Sequence, residues 1–435
     1  MKKKITYLFL IITLYGFAQK NDSTSFKGHF IIPEILIGKT QPANSGFPET
    51  DLQKSLSISF GNHQDKNIQE WSYRLRYPKT GLTFTFTDYG NKDFVGYSAT
   101  LMPFLEYGVL KKLLNKRFNM NLGMGASYYT QKYEGVPFSN NNIIENNNRA
   151  ISTRISWAVK AFFYYDVFKE KNANWRIGTG LLHQSNGHTK LPNQGLNSFL
   201  FSVSRQSNHN FKKRSTPVKT ELPKEDYEKS TQSYVTIRSG FGTNVLSEVF
   251  NDRKAVYTLA ASYGKILNKT FKIGLGFYYR YYDSYNTYIE NGEELVVEQF
   301  PHFQENSFKY STSYGVFISS EIFLGHIGIE ADLGYNFYKP FYEIEWKLNQ
   351  GFYWDFYNED GTYETEYVLG ELTSKYKLKK AILARLGLKY YLFNNNKSPK
   401  SNVFIGATIN ANLGQADFTE LSIGYVYRFG LKIRK

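Results

Sequence analysis

The sequence predicts an all-β fold: a transmembrane antiparallel β-barrel that follows an N-terminal signal peptide. Three observations carry this prediction, namely an export signal at the start, long stretches in which apolar and polar residues alternate, and a high aromatic content of 17%. Strands of membrane barrels place alternate residues toward lipid and toward the lumen. We expect a single barrel of about 12 to 16 strands, with about 14 as the best estimate.

Residues 1–18 have the features of a secretory signal peptide. A basic start at Lys2–Lys4 precedes an apolar run, and the small residues Gly16 and Ala18 form a cleavage site before Gln19. A run of this length is too short to cross a membrane as a helix. We therefore expect an exported mature chain that resides in the bacterial outer membrane.

Two later segments show the alternation most clearly. In 271–281 every odd-numbered residue is apolar or aromatic, and Arg280 lies on the other face. In 327–335 the odd-numbered residues are again apolar or aromatic, whereas Glu330 and Asp332 lie on the other face, where they are expected to pair inside the barrel. This alternation hides strand hydrophobicity from a mean hydropathy of −0.45, which alone would indicate a soluble protein.

The aromatic residues and the end of the chain support the same fold. The 36 Tyr, 35 Phe and 5 Trp exceed what a soluble core normally uses, and aromatic girdles at two membrane interfaces account for the excess. Residues 419–429 form an aromatic-rich final strand. Such a strand must pair with another, because an open sheet edge cannot lie in lipid.

Composition excludes several classes of function. There is no cysteine, which removes disulfides and thiolate chemistry, and the histidines show no metal-ligand spacing, so neither a metal nor a cofactor is expected. The net charge of +15 comes without a nucleic-acid-binding motif. In an exported barrel this charge favours anionic lipid headgroups or phosphorylated glycolipid as partners.

The mature chain, residues 19–435, is expected to form one barrel. Residues 19–208 hold the candidate site, and residues 209–435 add further strands and long loops. Pro33 demotes the segment 29–38 to an edge or plug element. A strand is predicted at 69–77, and the aromatic connection 339–379 forms either extra hairpins or a cover over the barrel mouth.

The most informative motif is 183–187, with the sequence HQSNG. His183 and Ser185 lie two residues apart on a predicted strand and therefore share a face, which also carries Ile177 and Leu181. An ionisable imidazole on a lipid-facing wall is costly and indicates function. The alternative without a catalytic role is a histidine at the membrane interface, with a serine at the end of a strand.

A second motif, PNQGLN at 192–197, follows closely. Asn197 lies on the apolar face of its own strand, where it could orient the imidazole, or it simply opens that strand after a turn. Pro192, Asn193 and Gly195 have the composition of turn formers. His188 lies in the same loop, where a solvated histidine is favoured over a phosphate contact.

On these motifs the chain resembles the lipid A 3-O-deacylase (PagL-like) family, in the longer form called acyloxyacyl hydrolase. The resemblance covers roughly residues 95–208 and is most specific at the two motifs. It implies an outer-membrane esterase that removes a fatty acyl chain from the lipid A of lipopolysaccharide. The surrounding partners would be outer-membrane lipids. Ser185 would be the nucleophile, His183 the base, and the backbone amides of Asn186 and Gly187 the oxyanion donors.

The chain departs from the family at the third catalytic position. The family carries Glu where this sequence has Asn197, and residues 183–220 contain no Asp or Glu. A neutral amide can still accept the imidazole N–H, as in Cys-His-Asn proteases. We expect slower turnover than with a carboxylate, or an acid supplied from another strand.

Two other functions stay open at this point. Outer-membrane phospholipase A also carries His-x-Ser-Asn-Gly and uses Asn as its third residue, with wider spacing, no Pro-Asn-x-Gly run and some calcium dependence. The third reading is a non-catalytic pore or adhesion barrel with a decayed motif. The sequence decides neither the acyl chain removed nor whether two copies form a homodimer.

Overall fold

The computed structural model describes residues 29–44, 46–109, 117–134, 148–169, 173–208, 227–357 and 363–434. The predicted signal peptide, residues 1–18, lies outside these ranges. Within them, antiparallel strands form two separate closed barrels of eight strands each, together with one small two-stranded sheet.

The first barrel is built from the first eight strands in sequence order. These are β1 (His29–Gln41), β2 (Gln53–His63), β3 (Lys79–Asp88), β4 (Tyr97–Gly108), β5 (Phe118–Tyr129), β6 (Ile155–Lys169), β7 (Ala173–Ser185) and β8 (Leu196–Asn208). Each strand pairs with its sequence neighbour, and β8 returns to pair with β1, where Val203 lies opposite Ile35. The deacylase-like half of the sequence thus closes on itself.

The second barrel follows the same pattern. Its strands are β9 (Lys229–Asn244), β10 (Lys254–Leu267), β11 (Phe271–Tyr282), β12 (Thr312–Leu324), β13 (Ile327–Tyr338), β16 (Ile382–Tyr391), β17 (Ser401–Asn412) and β18 (Gln415–Arg434). The hairpin of β14 (Phe352–Tyr357) and β15 (Tyr363–Val368) lies between β13 and β16. β18 pairs with β9, where Ile423 lies opposite Ser239.

The expectation of one barrel with about 14 strands is therefore wrong. Alternation along each strand fixes which residues face outward, but it is the same for one wide barrel and for two narrow ones. An eight-stranded barrel has an interior just wide enough to be filled by side chains. Among the described residues, buried side chains from the strands project into both lumens.

Pro33 does not exclude β1 from the barrel, which corrects the prediction of an edge or plug element. β1 pairs along its length with β2, and Pro33 lies opposite Ile58. On the other side, the pairing with β8 is interrupted between Ile31 and Glu34. Proline cannot donate a ladder hydrogen bond, and a short gap in one ladder accommodates it.

Both outer walls are apolar and both lumens are charged. The exposed wall residues of the predicted alternating segments include Leu275, Leu333 and Leu421, which are 68%, 59% and 59% exposed. Inside the second barrel, Glu330 is surrounded by Arg238, Arg385 and Lys389. Pairing inside the lumen was predicted for Glu330, Asp332 and Arg280 and is confirmed, since Asp332 contacts Arg238 and Arg280 contacts Asp417.

Inside the first barrel a smaller ion-pair network occupies the lumen. Arg176 contacts Glu106 at 2.8 Å and Asp166 at 3.4 Å, and Lys79 also contacts Glu106 at 2.8 Å. Arg176 and Glu106 are almost completely buried. Buried charges are tolerated only when they are paired and hydrogen-bonded, and each of these groups has such a partner.

Short helices replace several predicted loops and one predicted strand. They are α1 (Glu70–Arg74), α2 (Asp283–Glu290), α3 (Glu294–Gln299), α4 (Ser307–Tyr310), α5 (Tyr342–Gln350) and α6 (Ser374–Ala381). The strand predicted at 69–77 is wrong, because α1 takes its place. Along the described ranges, no helix is long and apolar enough to cross a membrane.

The aromatic connection 339–379 forms both alternatives left open by its sequence, a hairpin and a cover. α5 is supported by an ion pair of Glu343 with Lys347 at 3.4 Å, one helical turn apart. Its buried residue Ile344 packs in an apolar cluster with Tyr285 and Ile289 of α2. The helices therefore cover one end of the second barrel with a small hydrophobic core.

The two barrels contact each other at both ends. At the end that carries the β7–β8 loop, the backbone N–H of Val245 donates to the carbonyl of His188 at 3.1 Å. At the other end, the N–H of Glu70 in α1 donates to Asn396 at 2.9 Å, and the Glu70 carboxylate lies 3.7 Å from Lys269. The short helix α1 of the first barrel thus reaches turns of the second.

Candidate active site

The candidate site lies where β7 ends, on the outer wall of the first barrel. Leu181 and His183 point outward and are exposed, whereas Leu182 and Gln184 are buried in the lumen. The outward face predicted for the imidazole is the one observed. β7 and β8 are adjacent antiparallel strands, and their register places His183 directly opposite Asn197.

The imidazole of His183 is held by Asn197. The His183 Nδ1 atom lies 2.7 Å from the Asn197 Oδ1 atom. A carbonyl oxygen only accepts hydrogen bonds, so this contact places the proton on Nδ1 and leaves Nε2 unprotonated. The turn-residue alternative for Asn197 is therefore incomplete, since its side chain contacts the imidazole.

The hydroxyl of Ser185 receives two hydrogen bonds from the loop that follows it. Asn193 Nδ2 donates to Ser185 Oγ at 2.9 Å, and the backbone N–H of Gly187 donates to the same oxygen at 3.3 Å. Ser185 is only 6% exposed. No hydrogen bond joins Ser185 to His183, although contacts between a base and a nucleophile commonly shorten in the substrate complex.

Gly195 explains how the two side chains approach each other. A Cβ atom built on this residue would lie 3.3 Å from His183 Cε1 and 3.7 Å from Ser185 Cβ. Both side chains therefore border the same small volume, which a larger residue would occupy. The φ angle of Gly195 is +73°, a conformation that also favours glycine.

The two predicted oxyanion donors differ in what they contact. The N–H of Gly187 faces Ser185, whereas the N–H of Asn186 donates to Asn193 Oδ1 at 3.2 Å. The same Asn193 side chain therefore accepts from Asn186 and donates to Ser185. The sequence predicts only a turn former at Asn193, because the contact of this residue with Ser185 depends on the path of the loop.

Further hydrogen bonds fix the loop from within the first barrel. Asn186 Nδ2 donates to the carbonyl of Lys190 at 2.7 Å and to Ser152 Oγ at 3.2 Å. The backbone N–H of Gly195 donates to the carbonyl of Ala150 at 3.0 Å. These contacts connect the β7–β8 loop to the end of the β5–β6 connection and leave it little freedom.

The second barrel also contacts this loop. Asn251 makes two hydrogen bonds with the backbone of Leu191, accepting from its N–H at 2.9 Å and donating to its carbonyl at 2.6 Å. An ion pair joins Arg149 to Glu248. Thr419 of β18 accepts a hydrogen bond from the indole N–H of Trp157 at 3.1 Å.

His188 is buried, which corrects the prediction of a solvated loop histidine. Its side chain is 5% exposed and its Nε2 atom has no hydrogen-bond partner among the described residues. Burial lowers the pKa of His188 below its ordinary value, partly offset by the nearby Asp417. The imidazole is therefore neutral at pH 7 and packs between the barrels.

No acid replaces the missing family Glu within the described part of the chain. None of the described carboxylates hydrogen-bonds to His183, and the described ranges hold no group of three or more His, Asp or Glu side chains arranged for a metal. The orienting group of the imidazole is thus the neutral amide of Asn197.

Fold and site together define a class: closed barrels of the membrane type with a serine, histidine and amide cluster on the outer wall. The family model described as "Lipid A 3-O-deacylase (PagL)" matches residues 52–206. The model described as "Acyloxyacyl hydrolase, C-terminal domain" matches residues 230–356. Together these matches cover more than half of the chain, and the chain belongs to the lipid A 3-O-deacylase and acyloxyacyl hydrolase family.

The solved structures that the chain matches are remote in sequence. The outer membrane enzyme PagL is 13% identical, with 40% of this chain and 97% of that chain covered and a TM-score of 0.25. CdiB from Acinetobacter baumannii is 8% identical, with coverages of 93% and 61% and a TM-score of 0.17. The transport unit of the autotransporter AIDA-I from Escherichia coli is 8% identical, with coverages of 98% and 97% and a TM-score of 0.16. No curated protein matches the chain.

Proposed function

We propose that the protein is an outer-membrane serine esterase that hydrolyses an ester-linked acyl chain of lipid A. Ser185 is the nucleophile and His183 the general base. The observation that carries this proposal is the contact of His183 Nδ1 with Asn197 Oδ1 at 2.7 Å, beside a serine whose hydroxyl receives two N–H donors. Family membership supplies lipid A as the substrate class.

The geometry suits the first chemical step. With its proton on Nδ1, His183 can take the Ser185 hydroxyl proton on Nε2. Ser185 Oγ then bonds to the ester carbonyl carbon, and the carbonyl oxygen becomes an oxyanion. The N–H groups of Asn193 and Gly187, which now meet Ser185 Oγ, lie where they can donate to that oxyanion.

The remaining steps return the site to its starting state. The ester bond to the sugar hydroxyl breaks, and His183 gives its proton to that leaving oxygen. Water then attacks the acyl-serine, again with His183 as the base, and releases the fatty acid. Asn197 stabilises the imidazolium through a neutral dipole only, so the proposal includes slower turnover than a carboxylate would allow.

The location of the site suits an acyl chain. Leu181 and Phe199 are 59% and 41% exposed on the same outer wall as His183. A fatty acid in the membrane would lie along these side chains, and its ester would reach the end of β7. The lumen of the first barrel instead holds buried ion pairs of Glu106 with Arg176 and Lys79.

The test uses lipid A as the analyte. Wild type, Ser185→Ala and the control Ser320→Ala are expressed in cells with hexa-acylated lipid A, and the extracted lipid A is measured by mass spectrometry. Ser320 lies exposed on the outer wall of the second barrel, which makes it a matched serine away from the site. The proposal expects loss of one acyl mass with wild type and Ser320→Ala, and intact lipid A with Ser185→Ala.

Phospholipid hydrolysis is the second candidate, favoured by one feature: the imidazole contacts an amide rather than a carboxylate. Purified protein with vesicles of phosphatidylethanolamine separates the two activities. If fatty acid release from the vesicles depends on Ser185 and lipid A in cells is unchanged, the substrate is phospholipid and not lipid A. Silence in both assays would leave a barrel without catalytic activity.

A further inference from the structure

The strand β18 of the second barrel brings one side chain to the candidate active site. Trp157 Nε1 donates to Thr419 Oγ1 at 3.1 Å. A Cβ atom built on Gly187 would lie only 2.2 Å from the same Thr419 oxygen. The Thr419 hydroxyl therefore touches the Gly187 backbone, and Gly187 needs to be glycine for this contact as well as for its φ of +67°.

Thr419 lies on the same outer surface as the nucleophile. Trp157 of β6 is directly opposite Ser185 in the β6–β7 register, and directly opposed residues project from the same face of a sheet. Trp157 thus flanks Ser185 on one side, and Gly187 follows it along the chain. The Thr419 hydroxyl lies against both of these neighbours.

The hydroxyl hydrogen of Thr419 is available to donate a hydrogen bond. A hydroxyl has one hydrogen to donate and accepts with its lone pairs. The Trp157 indole donates to the oxygen, and in the ranges that the structure describes the hydrogen of the hydroxyl meets no acceptor. A β-branched side chain is also restricted in χ1, so the hydroxyl oxygen is held in place while its hydrogen can still turn toward a ligand.

The interior of the second barrel fixes the backbone on both sides of Thr419. Phe418 is fully buried in the aromatic cluster at the covered end. Glu420 accepts from Asn410 Nδ2 at 2.9 Å and lies 3.5 Å from Arg385 Nε. A site residue is most effective when the groups behind it are locked by packing and hydrogen bonds, and both neighbours of Thr419 meet this condition.

We propose that Thr419 is a further catalytic residue, so that the second barrel completes the active site of the first. Its hydroxyl donates a hydrogen bond to the carbonyl oxygen of the bound ester as that oxygen becomes negative. The inference rests on the proposed esterase function of Ser185. It assigns a role to the second barrel beyond anchoring the loop.

The experiment compares Thr419→Val and Thr419→Ser in the purified full chain. Valine keeps the shape of threonine and removes the hydroxyl, whereas serine keeps the hydroxyl and removes a methyl group. kcat and KM are measured with lipid A or a long-chain nitrophenyl ester in detergent. We expect Thr419→Val to lower kcat about 10²-fold with KM within about threefold, and Thr419→Ser to stay within about threefold of wild type.

Other outcomes overturn the inference separately from the proposed function. An unchanged kcat in Thr419→Val, or equal losses in both variants, rejects the hydroxyl as a donor while Ser185-dependent activity in wild type stands. No Ser185-dependent activity in wild type defeats the proposed function itself. If Thr419→Val fails to fold, Trp157→Phe serves instead: it removes the N–H that orients the hydroxyl, and an unchanged kcat there also rejects the inference.

Discussion

The two barrels have the same construction and different ends. Each has eight strands, an apolar outer wall and buried ion pairs in its lumen. At the end that carries the β7–β8 loop, the first barrel has a polar loop with Ser185 and Asn193 beside the exposed His183. The second barrel carries helices α2 and α5 over a buried apolar cluster. The first barrel thus presents the polar site residues, and the second presents an end covered by helices.

The lumens differ in a related way. On the strands of the first barrel the buried acids are Glu34, Glu106 and Asp166, whereas those of the second carry five, namely Glu321, Glu330, Asp332, Asp417 and Glu420. The cations beside them form a denser network in the second barrel, since Glu330 alone has three cationic neighbours. The second barrel also holds the loop of the first through the two hydrogen bonds of Asn251, so it acts as a support for that loop.

The largest effect is expected when the nucleophile of the first barrel is removed. Ser185→Ala should lower esterase activity by about 10⁴-fold or more, as loss of a serine nucleophile does in other hydrolases. The control Ser320→Ala should leave both activity and folding unchanged. Activity measured on purified protein with a long-chain ester checks this, and residual activity near wild type in Ser185→Ala would place the chemistry elsewhere.

The next largest effect is expected on stability, in the second barrel. Glu330→Ala leaves Arg238, Arg385 and Lys389 without their shared carboxylate, and breaking a buried pair in this way costs about 3–5 kcal/mol. Thermal unfolding in detergent should show a lower unfolding temperature for the second barrel. If the second barrel is a support, activity at low temperature should fall far less than stability does; an equal fall in both would contradict the division of roles.

Asn193 tests the loop of the first barrel. Asn193→Ala removes the side-chain N–H that meets Ser185 Oγ and should lower kcat about 10²- to 10³-fold with little change in KM. Asn251→Ala, which removes two hydrogen bonds from the second barrel to the same loop, is the matched control for loosening alone. Equal losses in the two variants would mean that Asn193 only shapes the loop.

Substitutions of Asn197 are expected to change kcat by a smaller factor, downward or upward depending on the new side chain. Asn197→Ala removes the acceptor of the His183 N–H and should lower kcat roughly 10-fold or more. Asn197→Glu supplies a charge that stabilises the imidazolium and should raise kcat above wild type. The comparison is made at one pH with the same ester. Unchanged activity in Asn197→Ala would remove this residue from the site.

The smallest effect concerns pH and the covered end of the second barrel. Burial raises the pKa of Glu345 from 4.5 to about 7, with Asp417 adding to the rise and Lys339 opposing it. Folding therefore favours the protonated form, so this contribution to stability is full below about pH 4.5 and is lost as the pH rises toward 7. Glu345→Gln should flatten the dependence of thermal stability on pH in that window; an unchanged slope would exclude Glu345 as its cause.

The part of the site that the sequence predicts follows from strand geometry. His183 and Ser185 are two residues apart, so the period of a strand places them on one outward face. Asn197 begins the next strand after a short loop, which makes it the cross-strand neighbour of His183. These relations are local, and each needs only one strand or one hairpin.

The remaining features depend on contacts that no local pattern records. Alternation is identical in one barrel or two, so it does not reveal that β8 closes onto β1. Thr419 reaches the site across 234 residues of sequence from Ser185, and Asn193 reaches it through the path of a loop. His188 lies against the second barrel, where the N–H of Val245 donates to its carbonyl, and no local pattern records this contact.

The central claim is that Ser185 is an activated nucleophile on the outer wall, with His183 as its base. A long-chain fluorophosphonate reacts covalently only with such a serine, and peptide mass spectrometry locates the adduct. We predict a single adduct on Ser185, with the reaction much slower in His183→Ala and absent in Ser185→Ala. An unlabelled Ser185 in active protein, or labelling that is independent of His183, would contradict the account.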